Sequence, residues 1–147
     1  MPKNERNFWR RLNHKNGAIC IPGHAKYPPK AKKSDPSISI DGKIAVGKRC
    51  ILIEIDSGNA AKLLIGQYVL LNLFYRGGRN KTLFLVVHYY KGYNAERTRK
   101  HFEFVAREVL QRKALPFVVF GKQDFFSLWS ASRTGESVWR KLVRRSM

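Results

Sequence analysis

Acidic side chains are scarce in this chain. Its 147 residues include 29 Lys and Arg but only 10 Asp and Glu, so the formal net charge is +19. The hydrophobic fraction of 44% and the aromatic fraction of 12% are too high for a disordered polycation, so the charge must decorate a folded body. The length predicts a single domain over residues 1–147. The charge predicts a polyanionic partner: DNA first, with RNA not excluded.

Long apolar runs are missing as well. The longest uncharged run covers the 13 residues 63–75, which is well short of the roughly 20 that span a bilayer. We therefore expect no membrane partner. The first 16 residues are charged throughout and contain no secretory signal, which predicts a cytoplasmic protein.

Cysteine is limited to Cys20 and Cys50, and without a secretory signal both are expected to be reduced thiols. Together with His14 and His24 they could supply four zinc ligands. Their spacing fits none of the compact zinc patterns, so the sequence disfavours a zinc site.

Hydrophobic periodicity predicts helices that alternate with strands. This order is typical of an α/β fold, a three-layer sandwich around a mixed central β-sheet with additional C-terminal helices. The predicted elements are a helix over 5–13, strands within 37–56, a helix over 60–74, a strand over 82–90, a helix capped by Asn94 and ending near 113, a strand over 116–120, and helices over 124–129 and 136–145.

Two basic segments are candidates for contact with phosphates. Residues 22–36, PGHAKYPPKAKKSDP, are rich in proline and lysine and predict an extended basic arm or loop. This segment is either a solvated linker or an arm that follows the phosphate backbone, with an aromatic ring available for base stacking. The candidate nucleic-acid-binding residues are Lys26, Tyr27, Lys30, Lys32 and Lys33 in the arm, and Arg140, Lys141, Arg144 and Arg145 in the last helix.

Three of the rare carboxylates are predicted to converge. Glu54 and Asp56 end an apolar strand and project from the same face, because side chains alternate along a strand. A turn at Gly47-Lys48 would pair residues whose numbers sum to 95, which places Asp41 opposite Glu54. Like charges gathered in this way favour a bound divalent cation, Mg²⁺ or Mn²⁺, with Asp41, Glu54 and Asp56 as its ligands.

Asp41 and Asp56 each have a simpler interpretation. Asp41 precedes Gly42 and can itself be a turn residue, in which case the hairpin closes earlier and Asp35 becomes the candidate first ligand. Asp56 can simply cap the helix that follows it.

Lys62 and Gln67 complete the candidate catalytic set. Lys62 is the only charged residue of an apolar helix and lies in its first turn, where the helix dipole disfavours a cation. A nearby acidic cluster would reverse that preference, and the lysine could then stabilise charge during phosphodiester hydrolysis. The alternative is a lysine that reaches the surface. Gln67, further along the same helix, is also expected to face the site.

The segment IDGKIAVGKRCILIEIDSG, residues 40–58, resembles the core of the PD-(D/E)XK nuclease superfamily. The later stretches AAKLLIGQYVLLNLF and SVWRKL are similar to the nuclease-like domain of plasmid and phage replication-relaxation proteins. This resemblance implies a restriction-endonuclease-like core over about residues 4–90, with the metal at Asp41 and Glu54. Ile40 stands in place of the motif's proline and Asp56 in place of its lysine, a role that Lys62 could take over from the next helix.

These patterns predict a Mg²⁺-dependent DNA endonuclease from a mobile element or phage. The alternative is a non-catalytic DNA-binding accessory protein of replication or mobilisation with a degenerate nuclease fold. A ribosome-associated or membrane-surface protein has only the charge in its favour. A homodimer that cuts both strands is a further alternative.

Overall fold

The computed structural model describes residues 1–58 and 61–146. Within these residues the chain is an α/β protein with five helices and five strands. They are α1 (Lys3–Arg11), β1 (Ile19–Tyr27), β2 (Ile38–Val46), β3 (Arg49–Asp56), α2 (Ala61–Phe74), β4 (Thr82–His88), α3 (Ala95–Val105), β5 (Phe117–Gly121), α4 (Lys122–Ala131) and α5 (Gly135–Arg145). Among the helices of these two ranges, none has the length and apolar character needed to cross a membrane.

The strands form one mixed sheet in the order β1-β2-β3-β4-β5. The first three strands are antiparallel neighbours, and β3, β4 and β5 run parallel. The parallel half requires helical crossovers, which α2 and α3 supply. The predicted α/β class and the mixed central sheet are confirmed.

The β2–β3 hairpin has the predicted register. Its two-residue turn is Gly47-Lys48, with Gly47 at φ 60°, and the ladder runs from Val46↔Arg49 to Gly42↔Ile53. Every pair therefore sums to 95. The alternative turn at Asp41-Gly42 is wrong, because both residues lie inside β2.

Two apolar layers cover the sheet. One face packs against α1, α4 and α5 and contains Phe8, Ile53 and Trp129. The other face packs against α2 and α3 and contains Tyr68 and Phe102. Each residue of β4 is buried, as expected for a strand covered on both faces.

The third predicted helix changes its pitch near its end. Asn94 caps α3 by accepting a hydrogen bond from the Arg97 N–H at 2.9 Å. After Val105 the chain continues as a π-helical turn, Ala106–Leu110, and a 3₁₀ turn, Gln111–Lys113. Val109, which has core spacing for a regular helix, is consequently 64% exposed.

The predicted basic arm begins later than expected. Residues 22–27 belong to β1, which pairs with β2 from Ile19↔Ala45 to Tyr27↔Ile38. Proline is tolerated here because β1 is an edge strand, where one side of the backbone needs no partner. Pro22 therefore did not end the strand, and only residues 28–37 form the unpaired basic arm.

The four-ligand zinc site is not formed. Cys20 packs against the layer of α1, α4 and α5, whereas Cys50 packs against the layer of α2 and α3. The two thiols thus lie on opposite faces of the sheet, where they cannot share one ion. Burial raises the pKa of both.

Candidate metal centre

The candidate centre lies where β2 begins and β3 ends. This edge of the sheet is formed by the ends of its strands, not by the outer strands β1 and β5. A break in strand alternation positions Asp41 there. Ile40 packs on the α2 and α3 side, while Ile44 packs on the side of α1, α4 and α5. Asp41 lies between them, beside an irregularity in the β1–β2 register.

Glu5 enters the centre from the first turn of α1. Phe8, one turn later, is fully buried and stacks on Phe125 at 5.6 Å, which fixes the helix against the sheet. Glu5 is only 7% exposed, and its Oε2 atom has no hydrogen-bond partner among the described residues. Burial, followed by the charge of Asp41, raises the pKa of this carboxyl.

His24 enters from the irregular part of β1. The register shifts between Pro22 and Ala25, and Gly23 adopts φ 101°, a value that favours glycine. The His24 Nε2 atom lies 3.7 Å from Glu5 Oε2 and 3.9 Å from Asp41 Oδ1. This places an imidazole between two buried carboxyl groups, with an open side toward solvent.

The separations within this trio are compatible with a shared ion. One ligand atom each from Glu5, His24 and Asp41 lies within 4.8 Å of the others. Two ligands about 2.1 Å from one ion lie about 3 Å apart at a right angle and about 4 Å apart when opposite. The trio therefore needs only small side-chain movements to coordinate a cation.

Asp41 is held in place by the neighbouring strand. The Ile55 N–H donates to Asp41 Oδ2 at 2.7 Å. Burial raises the pKa of the Asp41 carboxyl, although the Ile55 hydrogen bond and nearby His24 oppose the rise.

Glu54 borders the trio on the face covered by α2 and α3. The Gln67 side chain donates from Nε2 to Glu54 Oε1 at 2.9 Å, so the glutamine predicted to face this region does contact Glu54. Burial, with the charges of Asp41, Glu5 and Asp56, raises the pKa of Glu54 to about 8, against an ordinary value of 4.5. A cation near these carboxyls would relieve their mutual repulsion.

Asp56 has another partner. It shares a face with Glu54, but its Oδ2 lies 2.7 Å from His88 Nδ1, and His88 Nε2 lies 3.0 Å from the Thr98 hydroxyl. All three side chains are buried, and the ring of His88 stacks on Tyr93. The Gly58 N–H also donates to Asp56 at 3.3 Å. Through these hydrogen bonds Asp56 links β3 to β4 and α3.

The remaining candidates from this part of the sequence lie at the surface. Lys62 is exposed, and its ammonium group forms no ion pair with a described residue. Asp35 is also exposed, and its Oδ2 accepts a hydrogen bond from the Lys32 N–H in a turn of the arm. Asp41, rather than Asp35, is thus the residue that joins the carboxylate cluster.

The arm candidates differ in their availability. Lys30, Lys32 and Lys33 are exposed, and Lys26 donates to the Ala31 carbonyl at 2.9 Å. Tyr27 is partly buried and packs edge-on against Tyr75 at 5.2 Å. Burial raises its pKa to about 12.

The candidates in α5 form a second basic group. Arg140 and Arg144 are exposed. Lys141 donates to the Ala131 carbonyl at the end of α4, and the Arg145 guanidinium lies 5.4 Å from the centre of the Phe120 ring. Only two of these four cations are thus without an internal contact among the described residues.

The sequence did not mark Glu5 as a ligand, and it offered His24 only as a zinc ligand together with the two cysteines and His14. A signal for Glu5 was present, because it is one of few acids and lies in the first turn of an otherwise basic helix. His24 followed a glycine inside a segment interpreted as an arm, and no pattern marked it as part of a strand.

No model of a known protein family matches the chain, and no curated protein matches its sequence. The chemistry of the centre follows from its own geometry.

Proposed function

We propose that this protein is a divalent-metal-dependent nuclease that hydrolyses phosphodiester bonds of DNA. The observation that carries this proposal is the gathering of Glu5, Asp41 and Glu54 at one edge of a sheet in a chain of net charge +19. Buried carboxyls in so basic a protein are costly unless a cation or a proton neutralises them. The proposal includes a restriction-endonuclease-like core of the PD-(D/E)XK type.

Glu5, His24 and Asp41 are the residues that would hold the metal. A bound Mg²⁺ or Mn²⁺ supplies charge stabilisation for a phosphate group and a more acidic water. Glu54, oriented by Gln67, is suited to accept a proton from water once a bound cation favours its ionised form.

The position of the basic arm favours a nucleic-acid substrate. The last β1–β2 pair is Tyr27↔Ile38, and Asp41 is three residues further along β2. The arm, residues 28–37, therefore leaves the sheet at the edge that carries the carboxylates. Its lysines can draw the phosphate backbone toward this edge by counterion release.

One observation favours a non-catalytic DNA-binding protein as the second candidate. The position of the motif's lysine is occupied by Asp56, which His88 engages, and Lys62 has no ion pair within the described residues. Without a cationic side chain beside the phosphate, hydrolysis would depend on the metal alone for charge stabilisation. Such a protein would bind DNA at the same edge and leave it intact.

The test is cleavage of supercoiled plasmid and of labelled single-stranded and duplex oligonucleotides. Each substrate is incubated with Mg²⁺, with Mn²⁺ and with EDTA. We expect metal-dependent cleavage that Glu54→Gln abolishes while DNA affinity is retained. Binding without cleavage under every metal condition would favour the second candidate. Normal cleavage by Glu54→Gln would exclude this site as the catalytic centre.

A further inference from the structure

The trio of Glu5, His24 and Asp41 combines two kinds of donor. Two members offer carboxylate oxygens, and the third offers an imidazole nitrogen. Oxygen ligands suit Mg²⁺, Ca²⁺ and Mn²⁺, whereas imidazole suits transition metals such as Zn²⁺, Fe²⁺ and Ni²⁺. Mn²⁺ accepts the oxygen ligands that Mg²⁺ prefers and, as a transition metal, also binds imidazole.

The burial of Glu5 indicates that the cluster is built for a ligand. Its Oε2 atom is enclosed, has no hydrogen-bond partner among the described residues, and faces His24 Nε2 at 3.7 Å. Buried polar atoms are rarely left without a partner, since each costs about 1–3 kcal/mol when unsatisfied. A cation between these two side chains would satisfy the carboxylate.

His24 itself is placed for exchange with solvent. Its side chain is 59% exposed, compared with 9% for Glu5 and 10% for Asp41. The two carboxylates therefore form the inner wall of the site, and the imidazole forms its outer side. An ion could enter past His24 without any movement of the core.

We propose that Glu5, His24 and Asp41 form a mixed imidazole–carboxylate site that selects Mn²⁺ over Mg²⁺, with His24 as the residue responsible for the preference. The biological role of this site rests on the proposed metal-dependent function, but metal binding can be measured without nucleic acid. It replaces the all-carboxylate site expected from the sequence.

The experiment is a titration of metal-free protein with Mn²⁺ and, separately, with Mg²⁺, followed by calorimetry. We expect wild-type protein to bind one Mn²⁺ at least about tenfold more tightly than Mg²⁺. Loss of the nitrogen ligand in His24→Ala should weaken Mn²⁺ binding by about tenfold or more and leave Mg²⁺ binding little changed. Glu5→Gln should weaken both ions.

A spectroscopic readout identifies the ligand directly. Electron spin-echo spectra of bound Mn²⁺ should contain nitrogen coupling in wild-type protein and lack it in His24→Ala. His14→Ala is the matched control, because His14 is also exposed and belongs to no part of the trio. His24→Gln provides a second variant if His24→Ala has a lowered melting temperature.

The outcomes separate the two proposals. Equal affinity for both ions in wild-type protein, an unchanged ratio in His24→Ala, or absent nitrogen coupling would overturn the Mn²⁺ site. If His24-dependent Mn²⁺ binding is found without cleavage of DNA, the site stands and the nuclease proposal fails. If DNA is cleaved but His24→Ala leaves the ratio of Mn²⁺ to Mg²⁺ affinity unchanged, the nuclease proposal stands and the Mn²⁺ site fails.

Discussion

The backbone N–H of Ile55 donates a 2.7 Å hydrogen bond to the Asp41 carboxylate. The side chain from β2 is thereby fixed to the strand that carries Glu54, although the regular ladder between the two strands ends at Gly42↔Ile53. This bond gives the acidic edge a defined geometry before any cation binds, which is the preorganisation that a metal site needs.

Stability of the metal-free protein should fall as the pH rises through the range set by Glu54. Its pKa is about 8 in the folded protein, against an ordinary value of 4.5, so the folded state holds a proton that the unfolded state has lost between these values. The associated stabilisation is complete below about pH 4.5 and is lost by about pH 8. Thermal melts across this range should show the decline.

Glu54→Gln is expected to flatten this dependence, because glutamine carries no titrating proton and can still accept the hydrogen bond of Gln67. Glu103→Gln is a suitable control, since Glu103 lies on α3 and takes no part in the cluster. A wild-type stability that stays level from pH 5 to pH 8 would show that Glu54 is ionised in the folded protein.

Asp56 should behave as a structural residue rather than as a metal ligand. Asp56→Ala leaves His88 with a buried nitrogen that has lost its partner, and we expect a loss of about 1–3 kcal/mol in the free energy of unfolding. Thr98→Val, which removes the other hydrogen bond of His88, should cost about 1 kcal/mol. Chemical denaturation measures both changes.

Metal titrations of the same variants distinguish the two roles of Asp56. Its replacement should leave the affinity for Mn²⁺ and Mg²⁺ close to that of wild-type protein, whereas Glu5→Gln should lower it. If Asp56→Ala instead weakens metal binding at unchanged stability, Asp56 belongs to the ligand set predicted from the sequence.

The register of the hairpin was predictable because it depends on local chemistry. A two-residue turn at Gly47-Lys48 determines which residues face each other, and strand alternation places Ile51, Ile53 and Ile55 together on one face of the sheet. The facing direction of Glu54 follows from the same alternation. Both predictions needed only neighbouring residues.

The ligands from α1 and β1 were not predictable in this way. Glu5 reaches the site only because a helix packs across the sheet, and His24 only because an irregularity shifts the register between Pro22 and Ala25. The contact of Asp56 with His88 likewise depends on the parallel pairing of β3 with β4. Packing between distant segments, unlike a turn, leaves no signature at a fixed spacing.

Gly42→Ala should disturb both the fold and the metal site. A methyl group at this position would overlap the indole ring of Trp9 and lie 2.9 Å from the Ile21 carbonyl oxygen. Overpacking of this kind costs about 1–3 kcal/mol. Because Trp9 belongs to the helix that carries Glu5, a displaced helix should also weaken metal binding.

Gly66→Ala supplies the matched control. Apart from its chain neighbours and the nearby backbone of its own helix, no atom lies within 4 Å of a methyl group added there, and alanine is favoured over glycine inside a helix by about 1 kcal/mol. This variant should therefore be slightly more stable and bind metal normally. If Gly42→Ala unfolds at the same denaturant concentration as wild-type protein, the Trp9 ring can move aside at little cost.

Affinity for DNA should depend strongly on salt, and the arm should account for part of that dependence. Lys30, Lys32 and Lys33 are exposed at the edge that carries the carboxylates, and Lys26 contacts only a carbonyl of the arm itself. Alanine at these four positions should flatten the slope of log K against log salt by up to about 0.9 per lost phosphate contact on duplex DNA. Thermal stability should change little, because exposed like charges contribute little to folding.

Arg140 and Arg144 provide the comparison, since both are exposed on α5. The Arg49–Glu136 ion pair ties the start of this helix to the start of β3, whereas the contact of Arg145 with Phe120 places its last turn near the carboxylate end of the sheet. The double alanine variant of α5 removes two exposed cations and the arm variant removes four, so we expect the α5 variant to change the salt slope less. Parallel salt slopes for wild-type protein and the arm variant would instead identify residues 28–37 as a linker. A flatter salt slope for the α5 variant would then place the phosphate-binding face on the layer of α1, α4 and α5.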